Sequence, residues 1–130
     1  MPSQVRIQRI ADRMRQDLSE MLVGNRIHDP RLSGIFVTDV TVDRELSYAD
    51  IYFSAIEGSV RSKEVLAGLE SASGFIRREL AAQIKLRVFP KLRFHWDVTP
   101  ENADKIERIF ADIRNEQKSA TKKGKHVKPA

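Results

Sequence analysis

The sequence predicts an α+β fold, a small sheet with one open face that is backed by helices. Three observations predict it. Apolar residues recur at helical spacing near the start of the chain, alternate at strand spacing in three later stretches, and return to helical spacing between the second and third of these. A length of 130 residues suits one domain, and 41% hydrophobic residues can supply its core.

The elements follow in order. Ile7, Ile10, Ala11, Met14, Leu18, Met21 and Leu22 trace a single stripe, with Arg6, Arg9 and Arg13 lying off it. Gly24 and Asn25 are expected to close this helix through left-handed backbone. Asp29-Pro30 opens a loop that Gly34 ends. Phe36, Thr38, Val40 and Val42 then alternate with Val37, Asp39 and Thr41 as a first strand. The short polar link from Asp43 to Ser47 suits a hairpin. In the second strand Ala49, Ile51, Phe53 and Ala55 share one face, while Tyr48, Asp50, Tyr52 and Ser54 share the other.

From Ser62 the period is helical again through Val65, Leu66, Leu69, Ala72, Ile76, Leu80 and Ile84. The stripe keeps its phase across Ser73-Gly74, two residues that weaken a helix interior. A pair of helices in register, joined by a kink at Ala72-Ser73-Gly74, is therefore expected. After Pro90, Leu92, Phe94, Trp96 and Val98 alternate with Lys91, Arg93, His95 and Asp97 as a third strand. Thr99 and Pro100 read as the cap and first residue of a last helix carrying Ile106, Ile109, Phe110 and Ile113. The apolar pattern stops after Asn115. A domain over residues 1–115 and a disordered basic tail over residues 116–130 are expected.

Catalytic chemistry finds no foothold. There is no cysteine, which excludes disulfides, thiolate metal sites and cysteine nucleophiles. His28, His95 and His126 have no metal-ligand spacing. The glycines form neither a dinucleotide fingerprint nor a phosphate-binding loop, and no serine sits in a nucleophile elbow. No catalytic residue, metal or cofactor is expected, and the chain does not read as an enzyme. Without a signal-like or membrane-length apolar run, it reads as cytoplasmic, with no membrane partner.

Charge is the stronger signal. The net charge is +5, and residues 114–130 hold six Lys/Arg against one acid, so the remainder is neutral. Within that neutral body the signs separate. Arg77 to Arg93 contains six bases (Arg77, Arg78, Lys85, Arg87, Lys91 and Arg93) and one acid, whereas Asp39 to Glu70 contains seven acids and three bases. Such polarity fits a polyanionic partner. Amides freed at the kink near Gly74 would add a phosphate contact beside Arg77 and Arg78. A protein–protein adaptor using an acidic 39–70 face is the alternative.

Five short motifs, in order, carry a resemblance: His28-Asp29-Pro30-Arg31-Leu32-Ser33-Gly34, Val37-Thr38-Asp39-Val40, Leu46-Ser47-Tyr48-Ala49 leading to Ile51-Tyr52-Phe53-Ser54, Ala72-Ser73-Gly74-Phe75-Ile76-Arg77, and Leu86 through Phe94. From about Arg6 to Ile113 the chain resembles ribosome-binding factor A, a family of bacterial small-subunit assembly factors. The resemblance implies a KH-like fold of type II, a three-stranded sheet backed by helices, with a kinked helix pair in place of the Gly-x-x-Gly loop. It also implies a monomer that binds the free 30S ribosomal subunit and its 16S rRNA and assists late maturation, including processing of the rRNA 5′ end. Ribosomal proteins and other assembly factors are further candidate partners. Such factors matter most in the cold. Ser73, Gly74, Arg77, Arg78, Lys85, Arg87, Lys91 and Arg93 are the expected RNA contacts. Arg6, Arg9, Arg31, Lys122, Lys123 and Lys125 are weaker candidates, and Tyr48 and Tyr52 could stack on bases.

Overall fold

The computed structural model describes residues 3–24 and 26–122. It contains α1 (Gln4–Val23), a 3-10 turn (Pro30–Leu32), β1 (Ile35–Val42), β2 (Tyr48–Ala55), a second 3-10 turn (Ser59–Arg61), α2 (Ser62–Gln83), β3 (Lys91–Trp96) and α3 (Thr99–Lys122). The three strands form one sheet in the order β1-β2-β3, with β1 antiparallel and β3 parallel to β2. The parallel pair requires a crossover, which α2 provides.

The sequence stripe of α1 is the one that is buried: Ile7, Ile10, Ala11, Met14, Leu18 and Met21 enter the core. Ser3 caps this helix, its hydroxyl accepting the Arg6 amide at 3.1 Å. The closure differs from expectation. Gly24 ends the helix at φ −74°, an ordinary right-handed value, and Asn25 lies outside the described residues.

Strand β2 buries Ala49, Ile51, Phe53 and Ala55 as its alternation requires. Strand β1 departs from strict alternation. Its buried residues are Ile35, Val37 and Val40, and the register slips between Val37 and Asp39. Thr38 is the extra residue of a bulge, which resets the phase, so that Phe36 is exposed while Val40 is buried. The Thr38 hydroxyl bonds the Tyr52 carbonyl at 3.3 Å and the Asp97 carboxylate at 2.6 Å.

Helix α2 corrects a further expectation. It runs unbroken for 22 residues, burying Val65, Leu69, Ile76 and Leu80 across the point where a pair of helices was expected. Ser73 is accommodated inside it by donating its hydroxyl to the Glu70 carbonyl at 2.9 Å. The close approach belongs to another glycine. A Cβ on buried Gly68 would lie 2.9 Å from Leu32 Cδ2 and 3.2 Å from Arg31 Cβ, whereas one on Gly74 would meet nothing within 4 Å. Glycine at position 68 lets α2 press against the Pro30–Leu32 turn.

Residues 1–98 and 99–130 form two compact units. The second contains α3, which continues seven residues past Asn115, so residues 116–122 of the expected disordered tail are helical. The rest of that tail, 123–130, lies outside the described residues. No helix among the described residues is long and apolar enough to cross a membrane.

Candidate nucleic-acid interface

Four cations from separate parts of the chain converge on one groove of about 660 Å³. Arg6 comes from the first turn of α1, Arg77 from α2, Arg87 from the link after α2, and Lys91 from the start of β3. The hairpin contributes Glu45, Leu46, Ser47 and Tyr48, and Leu86, Val88 and Phe89 complete the lining.

Each cation is placed by its local sequence. Burial of Ile7 and Ile10 turns α1 so that Arg6 stays outside. Arg77 follows buried Ile76 on α2 and donates Nη2 to the Phe89 carbonyl at 3.1 Å, with its guanidinium 6.0 Å from the Phe89 ring centroid. Phe89 and Pro90 are buried and anchor the link, so Arg87 and Val88 before them remain exposed. The Lys91 amide donates to the Ser47 carbonyl at 2.9 Å, tying the start of β3 to the hairpin. Leu46 holds that hairpin at φ +57°, a left-handed conformation that is uncommon for a leucine. Asp43 supports the turn by accepting the Ser47 and Tyr48 amides at 2.7 and 2.9 Å.

The other predicted contacts separate from this groove. Arg78 and Lys85 are exposed but do not line it, since Arg78 projects about 100° around the helix from Arg77. Arg9 is likewise exposed and outside the lining. Arg93 is already engaged. It forms a two-pronged pair with Asp50, Nε to Oδ1 at 2.8 Å and Nη2 to Oδ2 at 3.0 Å, and lies 4.1 Å over the Tyr48 ring. Hydrogen bonding to Arg93, then to His95, holds the Asp50 carboxyl below its usual range despite some desolvation. His95 stacks on Tyr52, with centroids 4.9 Å apart and planes inclined at 24°. The two tyrosines are therefore partnered across the sheet.

Arg31 pairs with Asp29, Nη2 to Oδ2 at 2.7 Å, and so braces its own loop. Gly74 lies well inside α2, where its amide belongs to the helical ladder; Ser73 and Gly74 present no freed N–H groups for a phosphate. The side chain of Lys122, and Lys123 and Lys125 altogether, lie outside the described residues. Several acids of residues 39–70 have local partners. Asp39 accepts the Val40 amide, Asp43 serves the hairpin, Asp50 holds Arg93, and Glu57 and Glu64 both hold Arg61.

Arg61 is a residue that the sequence reading missed. Its guanidinium donates to the Arg31 carbonyl at 3.0 Å and the Ser33 carbonyl at 2.5 Å besides its two carboxylates. Arg26 pairs with Glu79, which leaves the only acid of the Arg77–Arg93 stretch neutralised elsewhere. Among the described residues no group of three or more His, Asp or Glu side chains could hold a metal ion.

The sequence profile of Ribosome-binding factor A matches residues 6–110. This chain belongs to that family. A family protein of Hahella chejuensis is 38% identical over 122 residues, covering 89% of this chain and 90% of its own. One from Alcanivorax borkumensis is 40% identical over 114 residues, covering 87% and 82%. The crystal structure of ribosome-binding factor A from Thermus thermophilus superposes with a TM-score of 0.61 at 22% identity, over 69% of this chain and 93% of that one, and shares its fold. A homology model of the Thermus thermophilus factor, fitted into an electron-cryomicroscopy map of a 30S complex with ribosome-binding factor A, matches with a TM-score of 0.57 at 24% identity, over 68% and 93%. The groove lies within the family's matched span, from Arg6 at its first residue to Lys91.

Proposed function

We propose that this chain is a noncatalytic assembly factor that binds the free 30S subunit through 16S rRNA and assists its late maturation, including processing at the rRNA 5′ end. It works as a cytoplasmic monomer. The observation that carries the reading is the convergence of Arg6, Arg77, Arg87 and Lys91 in a chain of this family. The Thermus thermophilus factor's fitting into a 30S complex supports the same partner. The order α-β-β-α-β, with β3 parallel to β2, fits a KH-like fold of the second type in which unbroken α2 stands where a Gly-x-x-Gly loop would be. Arg78 and Lys85 add outer phosphate contacts.

Mechanistically, the protein binds one rRNA arrangement better than its competitors and shifts the population toward it. Sedimentation of a cell lysate on a sucrose gradient tests the reading. The protein is expected with free small subunits at low salt, and its presence only in unbound fractions would overturn the proposal.

A further inference from the structure

We infer that the groove seats a single unpaired nucleotide of an RNA strand, its phosphate among the cations and its base against the apolar wall. This rests on the RNA-binding reading above and adds what part of the RNA is taken.

Two features of the lining argue for it. A groove meant for phosphates alone needs cations and polar donors, yet this one also presents Leu46, Tyr48, Leu86, Val88 and Phe89. Val88 is the informative residue, since 72% of it is exposed between a cation on the same link and the buried Phe89. A phosphate gains nothing from a valine, whereas an unstacked base recovers apolar contact there. The volume of about 660 Å³ is within the range of roughly 300–1,000 Å³ usual for small-ligand sites. A stacked duplex base cannot enter such a concavity without leaving its helix. The hairpin is built to hold its share of the wall in place. Asp43 fixes the turn, and Asp50 holds Arg93 against Tyr48, so the tyrosine is fixed before any base arrives. Glu45 and Ser47 in the lining offer an acceptor and a hydroxyl to a base edge.

The test uses the full chain and two probes measured by fluorescence anisotropy: an unstructured 12-nucleotide RNA and a blunt 12-base-pair RNA duplex. The strand is expected to bind about tenfold tighter than the duplex. Val88→Ser, at an exposed position that should not disturb folding, is expected to weaken strand binding about fivefold and leave duplex binding within about twofold. Equal or tighter duplex binding, or a Val88→Ser loss shared by both probes, would overturn the inference while leaving the groove an RNA site. Arg87→Glu reads the underlying assignment separately. It is expected to weaken both probes, and no effect on either would remove the groove from RNA binding altogether. Adenosine monophosphate as competitor distinguishes a strand from a free nucleotide. Displacement only above roughly millimolar concentration supports the strand, and micromolar displacement would give the groove to a free nucleotide instead.

Discussion

Gly68 and Gly74 occupy the same helix and answer to opposite requirements. At Gly68 a methyl group would collide with Leu32 and Arg31. Gly68→Ala is expected to destabilise the protein by about 1–3 kcal/mol, measured by urea denaturation. At Gly74 nothing obstructs a methyl group, and alanine forms helix better. Gly74→Ala is expected to stabilise by about 0.5–1 kcal/mol in the same experiment. Asp50 makes a pH-dependent contribution. Its carboxyl lies below the ordinary 3.8, chiefly through the Arg93 hydrogen bonds, so the folded state favours its ionised form. That stability is fully present above the unfolded value, near pH 4, and is lost as pH falls through the lower folded value. Asp50→Asn is accordingly expected to flatten the acid side of the stability profile below about pH 4. An unchanged acid limb would show that the Arg93 pair contributes nothing.

At the scale of elements, α2 is the decisive case. A continuous helix commits the Gly74 amide to its ladder, so hydrogen exchange should protect it within about tenfold of flanking amides. Exchange at the rate of an open loop would restore the broken pair that the composition suggests. The stripes of α1 and α2 and the alternation of β2 were readable because each buries one face against a single core, and burial imposes a period. The β1 bulge was not, since one inserted residue shifts the phase without a compositional mark. Ser73-Gly74 misled for a related reason. Propensity is a weak local term, and packing of Ile76 and Leu80 on one side of it and Leu69 on the other outweighs it. Gly68 left no such signal, because its need comes from Leu32, far away in sequence.

At the scale of the whole molecule, the basic stretch was visible as composition, but its division was not. Arg77, Arg87 and Lys91 meet Arg6 across the fold, while Arg93 turns to Asp50, a partner on the neighbouring strand. The four groove cations, with the proposed outer contacts of Arg78 and Lys85, set the expected salt response. The log–log slope of RNA affinity against salt should be about −4.2 to −5.4, and a slope near zero would exclude an electrostatic interface. The parallel pairing of β3 with β2 has a kinetic result. The two strands are separated by α2, so pairing them closes a long loop, and such non-local pairing slows folding relative to a local hairpin. That strand carries Lys91, which lines the groove beside Arg6, Arg77 and Arg87, so the basic site is whole only where this long-range pairing is made.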